Sequence, residues 1–406
     1  MKNCAKKQKK WVLPRHKLVR AVIGFFFAPI VKIKYGVKIK PFREKEKRKY
    51  LILYNHQTAY DQFFVGLAFR DPVYYVASED IFSLGALSSL IRFLVNPIPI
   101  KKQTNDPRAV INCIKVAKEG GTIAIAPEGN RTYSGKLAYI KPTIAQLAKH
   151  LKLPIAIFKI EGGFGVHPRW SDDVRRGRMQ AGVSRIIEPE EAMALSDSEL
   201  ASLIERELEV NEVRSDRRFK SRTPAQYLER ALYVCPTCKL SSLESHGDVI
   251  ECTRCHTGAR YTETTELCGI SRGFPFKYVA DWYDYQCEYV SSLNTLENTA
   301  TPYYTERVEL SEVILYKKKN IITTDALVEL YGDRIAISYN DVKLDCDFEH
   351  ASAVTVLGKN KLNVYFGDKV YQINGGKRFN ALKYVNLYYR YKSITKGDGN
   401  DKFLGL

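Results

Sequence analysis

Apolar and polar positions divide the 406-residue chain into stretches of different period. Four short runs, residues 50–54, 73–77, 122–126 and 154–160, are apolar almost throughout. Such runs, rich in Ile, Val and Tyr, predict strands buried on both faces. Between them lie stretches with helical spacing, near 58–69, 107–119 and 141–150, and a polar helix follows near 196–213. This alternation predicts an α/β unit over 50–213 with a central, mostly parallel sheet. Residues 214–232, opening on a run of charge, read as a linker, and 259–307 as a connecting segment. From residue 308 the pattern shortens to seven strand-like runs with tight turns at Gly332-Asp333 and Gly367-Asp368. Helical spacing returns at 379–391. Residues 308–395 therefore predict a mainly-β, barrel-like domain closed by a helix, with 396–406 as a tail.

Charge changes the picture at the N-terminus. The chain carries a net +18, and residues 1–50 hold 17 Lys/Arg against Glu44 and Glu46. Nearly all the excess thus sits in the first eighth of the chain. Inside that arm, residues 21–31 are apolar and contain three consecutive phenylalanines, with Arg20 and Lys32 as close flanks. Eleven residues fall short of the roughly 20 needed to span a bilayer. Pro29 is expected to break or kink a helix there, and no cleavage site follows. Residues 1–49 therefore read as a segment lying in the lipid interface, rings in the acyl boundary and cations on anionic headgroups. The other reading is a nucleic-acid-binding basic arm beside a buried helix, against which the Phe triplet argues. The expected location is the cytoplasmic face of a membrane, peripheral or monotopic, and the scattered cysteines fit a reducing compartment.

Two polar clusters follow apolar strands. Asn55-His56-Gln57-Thr58-Ala59-Tyr60-Asp61 comes after the first run and Pro127-Glu128-Gly129-Asn130-Arg131-Thr132 after the third. His56 and Asp61 would point about 140° apart on one straight helix. They can pair only if His56 lies on the preceding loop and Asp61 in the first turn. Thr58 would then be the N-cap, and Thr58-x-x-Asp61 also reads as a variant capping box. In the catalytic reading, Asp61 orients the imidazole and His56 acts as general base. Backbone amides at the helix start after His56 would then receive an oxyanion. No serine lies in a Gly-x-Ser-x-Gly setting, which argues against a serine hydrolase.

Asn55-His56-(x4)-Asp61 followed by Pro127-Glu128-Gly129-x-Arg131 resembles the glycerolipid acyltransferase family, whose typical member acts on 1-acylglycerol-3-phosphate. The intermediate block resembles Pro97-Ile98-Pro99-Ile100-Lys101-Lys102 and the last one Leu153-Pro154-Ile155-Ala156-Ile157. The resemblance covers about residues 20–213. It implies a transferase of phospholipid biosynthesis that moves an acyl group from acyl carrier protein or coenzyme A to a lysophospholipid hydroxyl. His56 and Asp61 would be catalytic, and Lys101, Lys102, Glu128, Gly129 and Arg131 would form the substrate phosphate site, with Arg131 on phosphate oxygens and Glu128 orienting a positive residue or a glycerol hydroxyl. Departures are Lys101 for the usual Arg, Ala126 and Asn130 for Phe and Thr, and Ile157 near a missing proline. They leave the acceptor open: 1-acylglycerol-3-phosphate, glycerol-3-phosphate or another lysolipid. A non-catalytic lipid-binding adaptor is the rival of a different class.

Within 233–258, Cys235-x-x-Cys238 and Cys252-x-x-Cys255 stand 13 residues apart. Two such turns can close a tetrahedron of thiolates, so a structural zinc ribbon is expected; a redox dithiol pair or free thiols is the alternative. With no concentrated basic patch, a spacer or docking role is favoured over nucleic acid. His167 and His246 read as surface or packing histidines. The C-terminal domain resembles, in architecture alone, the pleckstrin-homology-like class. Lys317-Lys318-Lys319 reads as a solvated loop that can also meet headgroups.

Overall fold

The computed structural model describes residues 10–396 except 45, 79–80, 83–84, 101–105, 211, 215 and 315–318. In chain order the first unit runs α1 (Arg15–Tyr35), β1 (Val37–Ile39), β2 (Leu51–Tyr54), α2 (Asp61–Ala68), β3 (Val73–Ser78), α3 (Ala86–Val95) and β4 (Ile98–Ile100). It continues with α4 (Pro107–Lys118), β5 (Thr122–Ile125), α5 (Thr143–Leu151), β6 (Ile155–Glu161), α6 (Gly163–Val166), β7 (Met179–Ile187), α7 (Pro189–Ala194) and α8 (Asp197–Leu208). Among the described residues its sheet is seven-stranded, in the order β1-β7-β6-β2-β5-β3-β4. The pairs from β6 to β4 are parallel, whereas β7 runs antiparallel to β6.

The continuous apolar runs are explained by burial on both faces. Leu51, Leu53, Ile123, Ile125, Ile155 and Ile157 join one core cluster. Their alternate neighbours Ile52, Tyr54, Ala124, Ala156 and Phe158 join the other. The period of two thus sends each strand's side chains into two separate cores.

α1 departs from the expected break. It runs through Pro29 as one helix. Proline has no N–H for the carbonyl four residues earlier, and the turns beyond it are held by packing, with Val31 and Tyr35 buried. The helix ends at Gly36 in the left-handed region, φ 58. A Cβ there would lie 2.5 Å from the Gly177 carbonyl oxygen, so the turn admits only glycine. Most of the helix is uncovered: Phe25 is 76% and Ile33 84% exposed. Arg15 of α1 donates to the Phe93 carbonyl of α3 at 3.1 Å, and α3 exposes Leu87, Leu90 and Phe93 beside it. No helix of the described residues is long and apolar enough to cross a membrane.

Residues 214–232, expected as a linker, are packed. Phe219, Ala225, Leu228, Ala231 and Leu232 are buried, and Arg176 and Lys220 form a β-bridge. The cysteine-bearing part holds β8 (Val234–Cys235) with β9 (Lys239–Leu240). Next comes an antiparallel sheet of β10 (Leu243–His246), β11 (Val249–Cys252), β12 (Gly258–Tyr261) and β13 (Leu267–Gly269). The ribbon's sheet therefore continues past residue 258. α9 (Val279–Ser292) leads to β14 (Tyr304–Glu312), β15 (Asn320–Leu330), β16 (Arg334–Tyr339), β17 (Val342–Asp347), β18 (Ala353–Leu357), β19 (Lys361–Phe366), β20 (Lys369–Asn374) and α10 (Leu382–Lys396).

These last strands form an antiparallel sheet, β17-β16-β15-β14-β20-β19-β18, whose ends β17 and β18 are its two edges. The result is a curled half-barrel, closed by α10, which buries Leu382, Tyr384, Val385, Leu387 and Tyr388. One core cluster joins this sheet, the ribbon and α9 to Tyr133, Phe164 and Trp170 of the first unit. Arg230, itself buried, stitches the same junction by donating to the Trp170 and Lys377 carbonyls at 2.7 and 2.5 Å.

Candidate active site

β2 and β5 are adjacent and parallel, so their carboxyl ends lie side by side about 4.8 Å apart. This is why two polar clusters some 70 residues apart in sequence meet at one edge of the sheet. Backbone bonds seal the junction: Thr132 N–H donates to the His56 carbonyl at 3.1 Å. Asn55 clamps the neighbouring strand, bonding both the N–H and the carbonyl of Ile160 at 2.8 Å.

His56 lies on the loop after β2, and its Nδ1 is 2.8 Å from Asp61 Oδ2. The pair expected from the sequence is therefore formed, but the helix start differs. α2 begins at Asp61 with Tyr60 in the N-cap position and no side-chain cap. Thr58 does not cap the helix; it donates its hydroxyl to Asp61 Oδ1 at 2.6 Å. The fully buried carboxylate also accepts the amides of Gln57 and Thr58 at 2.7 and 2.9 Å. Those two amides are thus spent on Asp61. The carboxylate folds the loop around itself while holding the imidazole.

Glu128 has partners that its motif did not announce. It is buried, and its two oxygens accept the His56 amide at 2.6 Å and the Ala138 amide at 2.9 Å. It ties the two loops together. Burial pushes its carboxyl up to about 8, against the pull of those amides. Gly129 takes φ 69 with open space where a Cβ would be, so the tight turn selects glycine through conformation.

Arg131 is buried, and among the described residues its Nη1 has no hydrogen-bond partner. Burial, then the nearby Arg169 charge, pulls it down to about 10. A buried guanidinium with an unspent donor suits an anionic oxygen. Lys101 and Lys102 lie outside the described residues, as do Lys317 and Lys318. His167 is buried beside Tyr35, ring centroids 5.8 Å apart. Burial and the cations around it, Arg131 first, hold it down to about 3. It belongs to the surroundings of Arg131, which its setting in the sequence did not reveal. His246 is exposed, 3.6 Å from Glu244.

His56, Glu128, Gly129 and Arg131 are in the wall of a cavity of about 1530 Å³, larger than the roughly 300–1,000 Å³ of ordinary ligand sites. The rest of its wall is mainly apolar, with Ile23 and Phe27 of α1, Ile91 of α3 and Leu147 of α5. α3 brings Leu87, Ile91, Leu94 and Val95 to it, which is how a helix absent from the sequence-based expectations shapes the cavity.

Away from this cavity, the sulfurs of Cys235, Cys238, Cys252 and Cys255 all lie within 4.8 Å of one another. Amides of Thr237 and Cys238 donate to Cys235 Sγ, and that of Arg254 to Cys252 Sγ, each at 3.4 Å. Four converging thiols with amide donors fit a closed tetrahedral zinc site. His256 is exposed and paired with Glu251, leaving the four sulfurs as the donor set.

Residues 37–160 match the model of the Acyltransferase family. The chain thus carries an acyltransferase domain of that family, followed by the cysteine cluster and the half-barrel. The chain is also similar to the crystal structure of the 1-acyl-sn-glycerophosphate acyltransferase PlsC from Thermotoga maritima. That likeness has 19% identity and a TM-score of 0.39, over 48% of this chain and 79% of that one. No curated protein matches.

Proposed function

We propose that the protein moves a fatty acyl group from a thioester of coenzyme A or acyl carrier protein to the hydroxyl of a lysophospholipid, of the 1-acylglycerol-3-phosphate type. The observation that carries this reading is the His56–Asp61 pair opening, beside buried Arg131, on a large apolar cavity. With Nδ1 engaged by Asp61, Nε2 takes the proton of the acceptor hydroxyl as its oxygen attacks the thioester carbonyl. The C–O bond forms, the C–S bond breaks, and the imidazolium returns the proton to the leaving thiolate. Arg131 supplies an anchor for the acceptor's phosphate, and the apolar wall takes hydrocarbon.

The exposed apolar residues of α1 and α3, next to a basic N-terminal arm, support work at an anionic membrane surface. Location on its cytoplasmic face is part of the same proposal, as is zinc as the ribbon's metal. The test is an acyl-transfer assay on anionic vesicles, with lysophosphatidate, uncharged lysolipids and glycerol-3-phosphate, using both thioester donors. Preferred turnover of lysophosphatidate is expected. Equal turnover of uncharged lysolipids would remove the phosphate anchor, and no transfer with any pair would leave the adaptor reading.

A further inference from the structure

Arg169 belongs to none of the motifs, yet it is buried beside the site. Its Nη1 donates to the Arg131 carbonyl at 3.0 Å, and its Nη2 lies 3.4 Å from Asn130 Oδ1. On its other side Nε donates to the Gly358 carbonyl at 3.2 Å. Gly358 sits in the turn between β18 and β19, in the C-terminal half-barrel. The guanidinium also lies 4.2 Å from the Tyr133 ring centroid. Tyr133 stacks in turn on Tyr283 of α9, centroids 6.3 Å apart at 11°. One side chain thus joins the loop that bears Arg131 to a domain with no motif for acyl transfer.

We propose that Arg169 is a positioning residue for acceptor binding, and that through it the C-terminal half-barrel holds the 130–132 loop in its binding posture. This rests on the reading of Arg131 as the phosphate ligand. Among the described residues Arg169 has no carboxylate partner; carbonyl oxygens, an amide oxygen and an aromatic face meet its charge. A planar fork spreads its donors wide enough to bridge three such separated acceptors, whereas the compact ammonium of lysine carries its three donors on one atom. The two neighbouring buried cations also repel each other, and an anionic headgroup relieves both. The half-barrel therefore shapes affinity for the acceptor without touching the acceptor.

The test compares full-length Arg169→Gln, Arg169→Lys, Lys359→Pro and Arg131→Gln in the acyl-transfer assay, with zinc content and melting followed in each. Proline at 359 drives residue 358 out of its left-handed turn, φ +63, and so shifts the Gly358 carbonyl from the half-barrel side. Arg169→Gln should raise the acceptor KM about tenfold or more, equivalent to about 1.4 kcal/mol, with donor KM unchanged and kcat less affected. Arg169→Lys should recover part of that loss, and Lys359→Pro should raise the acceptor KM in the same direction. Lys359 also pairs with Asp172 at 3.1 Å, so Lys359→Ala, which loses that pair and keeps the turn, is the control; should Arg169→Gln fail to fold, a loss in Lys359→Pro beyond that of Lys359→Ala decides for the positioning role and an equal loss against it. If Arg131→Gln weakens acceptor binding while the Arg169 and Lys359 variants leave it unchanged, the positioning role is overturned and the phosphate ligand stands. If Arg131→Gln also leaves acceptor KM unchanged, both readings fall.

Discussion

Two seven-stranded sheets share this chain, and they do opposite work. In the first, strands are mostly parallel, so each crossover passes through a helix and returns its loops to one edge. Loops after β2 and β5 can therefore pool residues distant in sequence. In the second, strands are antiparallel and most follow one another through short turns, so its interior is filled by one helix and apolar side chains. The first sheet leaves a cavity at the edge that bears the His56–Asp61 pair and bare apolar helices outside; the second spends its apolar surface on packing. Chemistry has gathered where topology brings loops together, and rigidity where it does not.

Breaking that contrast begins at the edge that bears the His56–Asp61 pair. His56→Ala should cut kcat about 10²–10⁴-fold while melting stays near the parent's, since His56 gives its side chain mainly to Asp61. Normal turnover by that variant would remove the base. On the packing side, Cys235→Ser should lower bound zinc below one per chain and depress melting, because metal affinity at a closed site is folding free energy. Unchanged metal content would refute the four-thiolate site.

The uncovered helices give the next effect. Replacing Phe25 and Phe26 with Ser should weaken binding to anionic vesicles, each buried ring being worth about 1.5–3 kcal/mol. Co-sedimentation equal to the parent's would exclude α1 from the lipid. The smallest effect concerns Glu128, which burial raises from 4.5 to about 8. Between those values the folded state holds a proton that the unfolded chain has released. Its contribution to stability is full below about 4.5 and fades as pH rises toward about 8. The slope is at most about 1.4 kcal/mol per pH unit. Glu128→Gln should lack that slope; parallel melting curves of parent and variant across the window would show that Glu128 stays ionised.

The regular parts of both sheets were legible in sequence for different reasons. β2, β3, β5 and β6 announce themselves because two-sided burial makes them apolar at nearly every position. β14 to β20 are marked by their turns and short spacing. β7 is hidden: its exposure varies along the strand, and Gly182 interrupts its apolar residues. α3 was missed although its apolar residues line the cavity and the surface. At the site, the His56–Asp61 pair was legible from spacing, but the start of α2 was not, since Asp61 draws the Gln57 and Thr58 amides and the Thr58 hydroxyl to itself. Glu128's partners, His56 and Ala138, are set by which strands lie adjacent. Arg169 gave no signal, because its partners are mostly backbone carbonyls, which no side-chain pattern encodes.

The turn at Gly36 has a mechanical meaning. With its α-carbon against the Gly177 carbonyl and its own carbonyl accepting from Met179 N–H at 3.3 Å, the joint between α1 and the sheet is welded. The helix serves as a keel: whatever tilt it takes at an interface, the whole hull of strands must take with it.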